Sequence, residues 1–534
     1  MTGTLDRTGR RGIPLAVARR AVRPQALCAA GLLLAGAGLV VIGTGLPARH
    51  LDMVGAPAGV NAGAGDRRDI TAHNSPSVAR SARRPSDVVV AGRVDLPRFS
   101  CSLHVSHDAG ATWSDADLPF PEGEEAPPRC YAPDAVFDAA GVLYASFTTL
   151  AGEGNRPHAV WLTSSADGGR RFTPPVRALG PLAFGPRLAA DAHRPGRLHL
   201  AWLQADATAT LGFPTTGNPI EAAGSDDGGR TWSAPVRVSP VHRARVVAPA
   251  MVVSGNRLLV GYLDLGDDRL DYAGAHGGRG GPPFPGPWSV VLARSGDGGA
   301  TWRETLVDGG VVPTERIVPF LAPPPALAAD PSGHRVYVGW ADARRGDPDV
   351  WVRASADGGA TFGRAVRVND PPARDRTSQY RPALGVAPGG RVDAVYYDRR
   401  GDRADIRNQV SLQSSFDHGR HFGRALTLSA RPFDSRVGFG AERSLADLGS
   451  RLAVVSARGS ALAVWTDTSA GTDVSGKQDL VRAVVRVSRG SRLRRVMTTG
   501  GALVCAAAVL VFASTSRRDV PRPPPNGARN CRPW

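Results

Sequence analysis

Residues 355–362 read Ser-Ala-Asp-Gly-Gly-Ala-Thr-Phe, and this octapeptide occurs with small variations six times in the 534-residue chain. The five other copies begin at Ser106, Ser165, Ser225, Ser295 and Ser415. The intervals between successive copies are 59, 60, 70, 60 and 60 residues. Such regular spacing indicates a repeat architecture, in which every copy occupies the same place in one structural unit.

The chemistry of the octapeptide is that of a tight turn. Ser and Asp side chains hydrogen-bond to nearby backbone N–H groups, and Gly supplies the positive φ that a tight hairpin needs. The Trp or Phe that closes each copy is large enough to pack at the edge of a sheet. We therefore expect a structural role for the six acids Asp108, Asp167, Asp227, Asp297, Asp357 and Asp417. Calcium binding is the alternative, although no full EF-hand spacing accompanies them.

Short apolar segments flank each turn and are typical of strands. In the fifth copy, residues 350–354 precede the turn and residues 365–368 follow it, while 325–329 and 336–340 lie further upstream. Each unit thus contains four short strands joined by Gly- and Asp-rich connections. Four-stranded units that recur radially are the blades of a β-propeller, so the sequence predicts an all-β propeller.

The number of blades follows from the innermost strand, which recurs seven times. Its starts lie near Ser75, Ala132, Pro186, Ala248, Pro324, Pro382 and Arg443. The seventh unit ends without the turn octapeptide and without an outer strand. Residues 56–61 could supply that strand and close the ring. We therefore expect seven blades, with six as the alternative if the two end units merge.

The net charge of +17 is concentrated at the two ends of the chain. Residues 1–50 carry +6 and residues 489–534 carry +8, which leaves +3 for the 438 residues between them. A nucleic-acid-binding protein would concentrate positive charge on its folded body. This distribution argues against a nucleic-acid partner.

Each charged end adjoins an uncharged apolar segment. Residues 26–46 and 496–514 contain no charged side chain, and a helix of about 20 such residues is long enough to cross a bilayer. Six arginines precede the first segment, which places the N-terminus in the cytoplasm if the segment is an anchor. A cleaved signal peptide is the alternative. The second segment would then return the chain to the cytoplasm.

These features divide the chain into seven expected parts. A cytoplasmic basic N-terminus (1–25) and a transmembrane helix or signal anchor (26–46) lead into a linker with the ring-closing strand (47–70). The propeller (71–488) is followed by a basic juxtamembrane segment (489–495), a transmembrane helix (496–514) and a cytoplasmic Pro- and Arg-rich tail (515–534). The expected location is the cell membrane, with the propeller on the extracytoplasmic side.

The cysteines are consistent with this topology. Cys101 and Cys130 are the two cysteines of the propeller, whereas Cys28 and Cys505 lie in the apolar segments and Cys531 in the tail. An extracytoplasmic location permits a disulfide between Cys101 and Cys130. Two buried thiols are the alternative.

The repeated octapeptide resembles the Asp-box, or BNR repeat, of sialidases and related propellers, and the resemblance covers residues 71–488. In that family the box joins the two outer strands of a blade on the face opposite the active site. The resemblance implies an exo-glycosidase with three substrate-binding arginines, a Tyr nucleophile activated by Glu, and an Asp acid/base. The early Arg-Ile-Pro signature of sialidases is missing from residues 73–80, and Tyr380-Arg381-Pro382 is a partial echo of it.

The resemblance also implies site residues, which would lie in loops on one face of the ring. They are Arg381, Arg399 and Arg443 for carboxylate binding, Tyr380 as nucleophile, Glu442 as its activator and Asp342 as acid/base. Arginine suits a carboxylate because its guanidinium donates paired hydrogen bonds. The sequence Arg-Arg-Gly-Asp recurs at 344–347 and 399–402, which supports the alternative that these loops are structural turns.

Two functions of different classes follow. The first is a membrane-anchored, sialidase-like glycoside hydrolase that removes terminal sialic acid from extracellular glycans. The second is a non-catalytic propeller that binds a glycan or a protein partner at the cell surface, since a fold does not fix a function. The sequence contains no convincing zinc motif, phosphate-cradling loop or Ser-His-Asp signature, so we expect no cofactor and no metal ion.

Overall fold

The computed structural model describes residues 24–45, 49–124, 129–152, 155–205, 218–268, 284, 286–314, 323–438, 448–489 and 492–516. The chain divides into two compact units. One consists of residues 51–487, and the other contains residues 1–50 and 488–534. In chain order, the described part begins with helix α1 (Pro24–Gly45) and strands β1 (Arg49–Met53) and β2 (Ala58–Gly59).

The next twelve strands form three four-stranded antiparallel sheets, each of which is one blade with its innermost strand first. Blade 1 consists of β3 (His73–Arg80), β4 (Val88–Val94), β5 (Ser100–Ser106) and β6 (Ser114–Asp115). Blade 2 consists of β7 (Cys130–Phe137), β8 (Leu143–Ala151), β9 (Arg156–Ser165) and β10 (Val176–Leu179). Blade 3 consists of β11 (Ala183–Ala190), β12 (Leu198–Gln204), β13 (Ile220–Ser225) and β14 (Val236–Arg237).

Three further blades follow the same order. Blade 4 consists of β15 (Val246–Ser254), β16 (Arg257–Asp264), β17 (Trp288–Ser295) and β18 (Arg303–Val311). Blade 5 consists of β19 (Ala326–Ala329), β20 (Val336–Asp342), β21 (Asp349–Ser355) and β22 (Val366–Arg367). Blade 6 consists of β23 (Gln379–Val386), β24 (Val392–Asp398), β25 (Arg407–Ser415) and β26 (Leu426–Thr427), and the short β27 (Phe433–Asp434) also pairs with β25.

Blade 7 combines strands from both ends of the propeller. It contains β28 (Ala453–Ala457), β29 (Ser460–Asp467) and β30 (Asp479–Arg489), with β1 beyond β30. Strand β2 also pairs with β30, with Ala58 opposite Arg482 and Gly59 opposite Val481. The expectation of seven blades is therefore confirmed, as is the prediction that residues 56–61 contribute an outer strand.

The turn octapeptides lie between the third and fourth strands of blades 1–6. In the fifth copy, the Asp357 carboxylate accepts hydrogen bonds from the Ser355 hydroxyl (2.7 Å), the Thr361 N–H (2.9 Å) and the Thr361 hydroxyl (2.6 Å). The Gly359 N–H donates to the Ser355 hydroxyl (2.8 Å). The other five copies repeat this arrangement, with Arg or His at the Thr position in two of them. The six acids are therefore committed to the turns.

The turns also join neighbouring blades. Gly229 of the third copy has a φ of +81°, and a Cβ atom there would lie 2.0 Å from Leu162 Cδ2 of the preceding blade. Glycine is thus required for both its conformation and its size. The closing Trp232 packs on a hydrophobic cluster that includes Leu162 and Leu198, one from each blade. The closing aromatic residues of the other copies pack in the same way between their own blade and the previous one.

Buried charges hold the N-terminal segment against blade 7. The Lys477 side chain has no exposed surface, and its Nζ lies 2.7 Å from Asp69 Oδ2 and 3.1 Å from Asp479 Oδ1. The side-chain amide of Asn61 also donates to Asp479 (3.2 Å). A buried ammonium is tolerated when it is paired and hydrogen-bonded, so these contacts fix the segment that closes the ring.

A disulfide joins Cys101 of blade 1 to Cys130 of blade 2, so the alternative of two buried thiols is wrong. Helix α2 (Arg492–Ser516) packs against α1 in the smaller unit. The two helices lie so close together that a Cβ atom added to Gly36 would be 2.6 Å from Cys505 Sγ. Both apolar segments thus form helices.

The prediction that residues 26–46 and 496–514 are transmembrane is not supported. No helix within the described residues is long and apolar enough to span a bilayer, which takes about 20 apolar residues.

Replacing Lys477 by Met should lower the free energy of unfolding by about 3–5 kcal/mol, because it leaves two carboxylates in the closure without their cation. Denaturant unfolding followed by tryptophan fluorescence measures this change. Arg486→Met is the matched control, since Arg486 lies on the adjoining strand β30 with an exposed side chain, and it should shift the value by less than about 0.5 kcal/mol. Equal losses in both variants would contradict the role given to Lys477.

The turn acids should make stability depend on acid pH. The Thr231 hydroxyl and N–H lower the pKa of Asp227 to about 2, below the value of about 3.9 for an unfolded chain. A carboxyl whose pKa is lower in the folded state stabilises the fold above pH ~4, and this contribution is lost as the pH falls towards 2. The melting temperature should therefore fall over that range, and it should fall less in Asp227→Asn.

The neighbouring exposed Asp226 provides the control for this experiment. Its side chain is 80% exposed and takes no part in the turn. Asp226→Asn should therefore keep the pH dependence of the unmodified chain. If Asp227→Asn shows the same dependence as Asp226→Asn, the turn carboxylate does not contribute as described.

Candidate functional site

The seven innermost strands contact one another around a closed ring. In five of them a β-bulge interrupts the pairing with the second strand. Each bulge contains a residue of positive φ followed by proline, and the five such residues are Ser75, Ala132, Gly185, Ala248 and Arg381. A bulge bends its strand and redirects the side chains that follow it. The repeated bulges thus set which side chains face the propeller axis where the chain enters each blade.

Three arginines from blades 3, 6 and 7 meet at this axial entrance. Their guanidinium groups donate to backbone carbonyls of other blades: Arg187 to Pro249 (3.1 Å), Arg381 to Gly449, and Arg451 to Pro76 (3.0 Å) and Pro133 (2.7 Å). Hydrogen bonds from charged donors to buried carbonyls are stronger than neutral ones. The three arginines therefore hold the inner strands together while placing positive charge at the axis.

The same arginines line a cleft of about 220 Å³, together with the proline-rich strand entries. A second cavity of about 30 Å³ adjoins it and shares Arg187, Ser450 and Arg451. The smaller space has room for about one water molecule. The larger cleft is below the range of about 300–1,000 Å³ that is usual for drug-sized ligands, so it suits a compact group such as one sugar ring.

Arg187 keeps hydrogen-bonding capacity for a ligand. Its Nε donates to the Pro249 carbonyl, but its two terminal nitrogens make no hydrogen bond to any residue that the structure describes. Asp134 is close enough to interact with Arg187 electrostatically, although no salt bridge joins them within the described ranges. A guanidinium with two free terminal N–H groups can hold a carboxylate through paired bonds.

Strand β7 carries two titratable groups near these arginines, Tyr131 and Asp134. Burial raises the pKa of Tyr131 to about 12, against the opposing influence of Arg93 and Arg187. Burial also raises the pKa of Asp134. Arg93 itself is neutralised by Asp95, with 2.7 Å between Nε and Oδ1. Asp134 lines neither of the two cavities, but it lies close enough to Arg187 to interact with it electrostatically. A carboxyl with a raised pKa next to a residue of the cleft is a candidate for proton transfer.

Tyr380 and Arg399, predicted from the sequence, lie together in blade 6. The Tyr380 hydroxyl donates to Asn408 Oδ1 (2.8 Å) and accepts from Arg399 Nη2 (3.1 Å). The guanidinium carbon of Arg399 lies 4.9 Å from the centre of the Tyr380 ring. Arg399 also donates to the Asp405 carbonyl (2.7 Å) and the Ser435 hydroxyl (3.0 Å). Tyr380 is 6% exposed, so this contact belongs to the interior of the blade.

Arg381 reaches the axial cleft, whereas Asp342 is enclosed in blade 5. Asp342 has no exposed surface, and its carboxylate accepts from Trp340 Nε1 (3.3 Å), the Val312 N–H (3.0 Å) and Arg344. Its two oxygens are therefore committed to neighbouring groups. The structure does not bring Asp342 into contact with Tyr380, and its role as acid/base stays a prediction.

Glu442 and Arg443 fall in 439–447, outside the described residues. The seventh innermost strand is β28, which begins at Ala453, so the predicted start near Arg443 is wrong by ten residues. The positive φ of Gly449 and Gly185 instead matches Gly449-Ser450-Arg451 with Gly185-Pro186-Arg187.

Sequence reasoning thus missed Arg187, Arg451 and Asp134. A usable signal was present in the residue that directly follows the bulge proline or its equivalent. In the seven blades this residue is Ser77, Asp134, Arg187, Ala250, Ala326, Ala383 and Arg451. Charged residues at three of the seven positions mark the axis as polar on one side. Within the described ranges, no group of three or more His, Cys, Asp or Glu side chains could hold a metal ion.

No family model matches the chain, and no curated protein matches it in sequence. Among solved structures, a protein of unknown function from Dyadobacter fermentans is similar at 15% identity, with a TM-score of 0.42, over 82% of this chain and 99% of that one. A Hadza microbial sialidase is similar at 14% identity, with a TM-score of 0.39, over 74% of this chain and 73% of its own. Sequence identity and structural similarity at this level carry no argument about activity.

An α-L-arabinanase from Penicillium chrysogenum, solved in complex with arabinobiose, is similar at 15% identity and a TM-score of 0.37. The similarity covers 68% of this chain and 95% of that chain. The structures that resemble the chain thus include a sialidase and an arabinanase.

Replacing Arg451 by Ala should lower the free energy of unfolding by about 2 kcal/mol or more, because two buried carbonyls lose a charged donor. Arg431→Ala is the control, since Arg431 makes one exposed bond, to the Ser469 carbonyl, and should change stability by less than about 0.5 kcal/mol. Chemical unfolding of both variants measures the difference. A loss for Arg451→Ala no larger than that of the control would show that the axial bonds are not stabilising.

Proposed function

We propose that the propeller binds glycans that end in an acidic sugar, such as sialic acid, at the axial cleft. The observation that carries the proposal is the convergence of Arg187, Arg381 and Arg451 on one cleft, with the terminal nitrogens of Arg187 uncommitted among the described residues. Guanidinium groups hold a carboxylate through paired, charge-assisted hydrogen bonds. The proline rings that line the cleft provide apolar surface for the sugar ring.

Hydrolysis of the terminal sugar is the second candidate function, and Asp134 favours it. A buried carboxyl with a raised pKa keeps its proton to higher pH than an exposed one and so suits a general acid. The roles implied by the sialidase resemblance are the competing assignment. They use Tyr380 as nucleophile, Glu442 as its activator, Asp342 as acid/base, and Arg381, Arg399 and Arg443 for the carboxylate.

The glycan would belong to an extracytoplasmic partner. The Cys101–Cys130 disulfide supports this location, because structural disulfides persist in oxidising compartments and are rare in the cytosol. An extracellular glycan or a glycosylated surface protein is therefore the proposed ligand.

Titration of the purified full-length chain with 3′-sialyllactose tests the binding proposal. Arg187→Gln should weaken the dissociation constant at least tenfold, which corresponds to about 1.4 kcal/mol. Arg399→Gln should leave the affinity unchanged, because Arg399 is engaged inside blade 6. Neutral lactose serves as the ligand control. Equal affinity for lactose, or no saturable binding of sialyllactose by the folded chain, would overturn the proposal.

A fluorogenic sialoside assay separates binding from hydrolysis and compares the two site assignments. If the axial cleft is catalytic, Asp134→Asn should reduce turnover at least 100-fold and Tyr380→Phe should retain it. Loss of turnover in Tyr380→Phe with retention in Asp134→Asn would support the resemblance-derived roles instead. Binding of sialyllactose without turnover would assign the cleft to recognition alone.

A further inference from the structure

A cavity of about 630 Å³ lies between blades 3 and 4, on the face that carries the turn octapeptides. Its walls come from the connection between β11 and β12, the connection between β15 and β16, and the turn at Gly296–Gly298. These elements lie at the opposite ends of the strands from the axial cleft. The volume falls within the range of about 300–1,000 Å³ that is typical of small-molecule sites.

The acids of this cavity are already engaged in local hydrogen bonds. Asp191 Oδ1 accepts from the N–H groups of His193 (2.8 Å) and Arg194 (3.2 Å). Asp297 accepts from the hydroxyls of Ser295 (2.7 Å) and Thr301 (2.5 Å), as in the three other copies that have Thr at this position. Their capacity to bind a cation or a hydroxyl group is therefore largely used.

The donors of the cavity are not engaged in this way. The side chains of four lining residues make no hydrogen bond within the described part of the chain, and these are His193, Arg194, His199 and Asn256. Arg197 makes one long contact, 3.4 Å from its Nη1 to Oδ1 of the mostly exposed Asp226. The cavity thus offers an excess of donors and positive charge.

Two features strengthen the positive character of the inner wall. The Arg197 side chain is 21% exposed, so its charge is partly withdrawn from water and acts more strongly at short range. Burial, with a further contribution from Arg197, lowers the pKa of His199 to about 4. At neutral pH His199 is therefore an uncharged donor beside a guanidinium.

The next junction of the ring shows what closes such a space. Arg257 in blade 4 occupies the position of Arg197 in blade 3, five residues before the aromatic residue of the second strand. Its Nη1 donates to the Gly333 carbonyl of blade 5 (2.9 Å). The Ser254 hydroxyl also donates to the Asp330 carbonyl across the same junction. Backbone from blade 5 thus satisfies the donors between blades 4 and 5.

The difference between the two junctions has a simple cause. In blade 5, residues 330–335 connect the first two strands and reach back to blade 4. In blade 4 the corresponding connection is Gly255–Asn256, which is too short to reach Arg197. The junction between blades 3 and 4 therefore stays open. The guanidinium groups of Arg194 and Arg197 line the open space, whereas backbone fills the corresponding space between blades 4 and 5.

We propose that this cavity binds a small polyanion bearing carboxylate or phosphate groups, with Arg194 and Arg197 as the side chains that hold it. Paired hydrogen bonds from the two guanidinium groups would neutralise the anion. Neutral His199 and the Asn256 amide would add uncharged donors. This site is separate from the axial cleft and does not depend on the function proposed for that cleft.

Isothermal titration of the purified full-length chain with citrate and with inorganic pyrophosphate tests the proposal and distinguishes carboxylate from phosphate ligands. At least one of the two should bind saturably with a stoichiometry of one. Arg197→Gln should weaken that binding at least tenfold. Arg257→Gln, at the equivalent position of the closed junction, should leave it unchanged.

Two further variants keep the outcome interpretable. Arg194→Gln removes an exposed side chain and should weaken binding even if Arg197→Gln fails to fold. Arg187→Gln should have no effect, because it alters the axial cleft alone. No saturable binding of either anion, equal weakening by Arg257→Gln, or loss of binding in Arg187→Gln would overturn the proposal.

Discussion

Closure of the ring is the constraint on which the rest of the propeller depends. Every blade buries one face against the preceding blade and one against the next, so an open ring would expose two apolar faces to water. The contacts of β2 and Asp69 with blade 7 prevent this. The closed ring of seven innermost strands surrounds the axial cleft.

Charged side chains serve two purposes in this ring. At the axis, Arg187, Arg381 and Arg451 bond to carbonyls of other blades and also line the cleft. A buried guanidinium needs acceptors for its donors, and the bulged strand entries provide them. The proposed binding of an acidic ligand and the cohesion of the inner strands therefore depend on the same three arginines. A substitution at the axis will affect both properties.

The sequence predicted the turns and the number of blades because their determinants are local or periodic. The hydrogen bonds of the turn at residues 355–361 join residues at most four positions apart. The axial cleft was not predictable in the same way, since the ring brings Arg187 and Arg451 together and a bulge redirects Arg187. Loops that looked functional, such as the one with Asp342, prove to satisfy their own polar groups. The apolar end segments do form helices, but hydrophobicity alone did not establish a membrane span.

The two-residue connection between the first two strands of blade 4 shows how a repeat protein can gain a new site. Between blades 4 and 5, a six-residue connection seals the junction, while the short connection leaves a cavity at the junction before it. Insertions and deletions in exposed hairpins are well tolerated because they leave the strands unchanged. Each junction of the ring is therefore an independent place where a change in loop length can create or erase a pocket. A single scaffold can diversify in this way without altering its core.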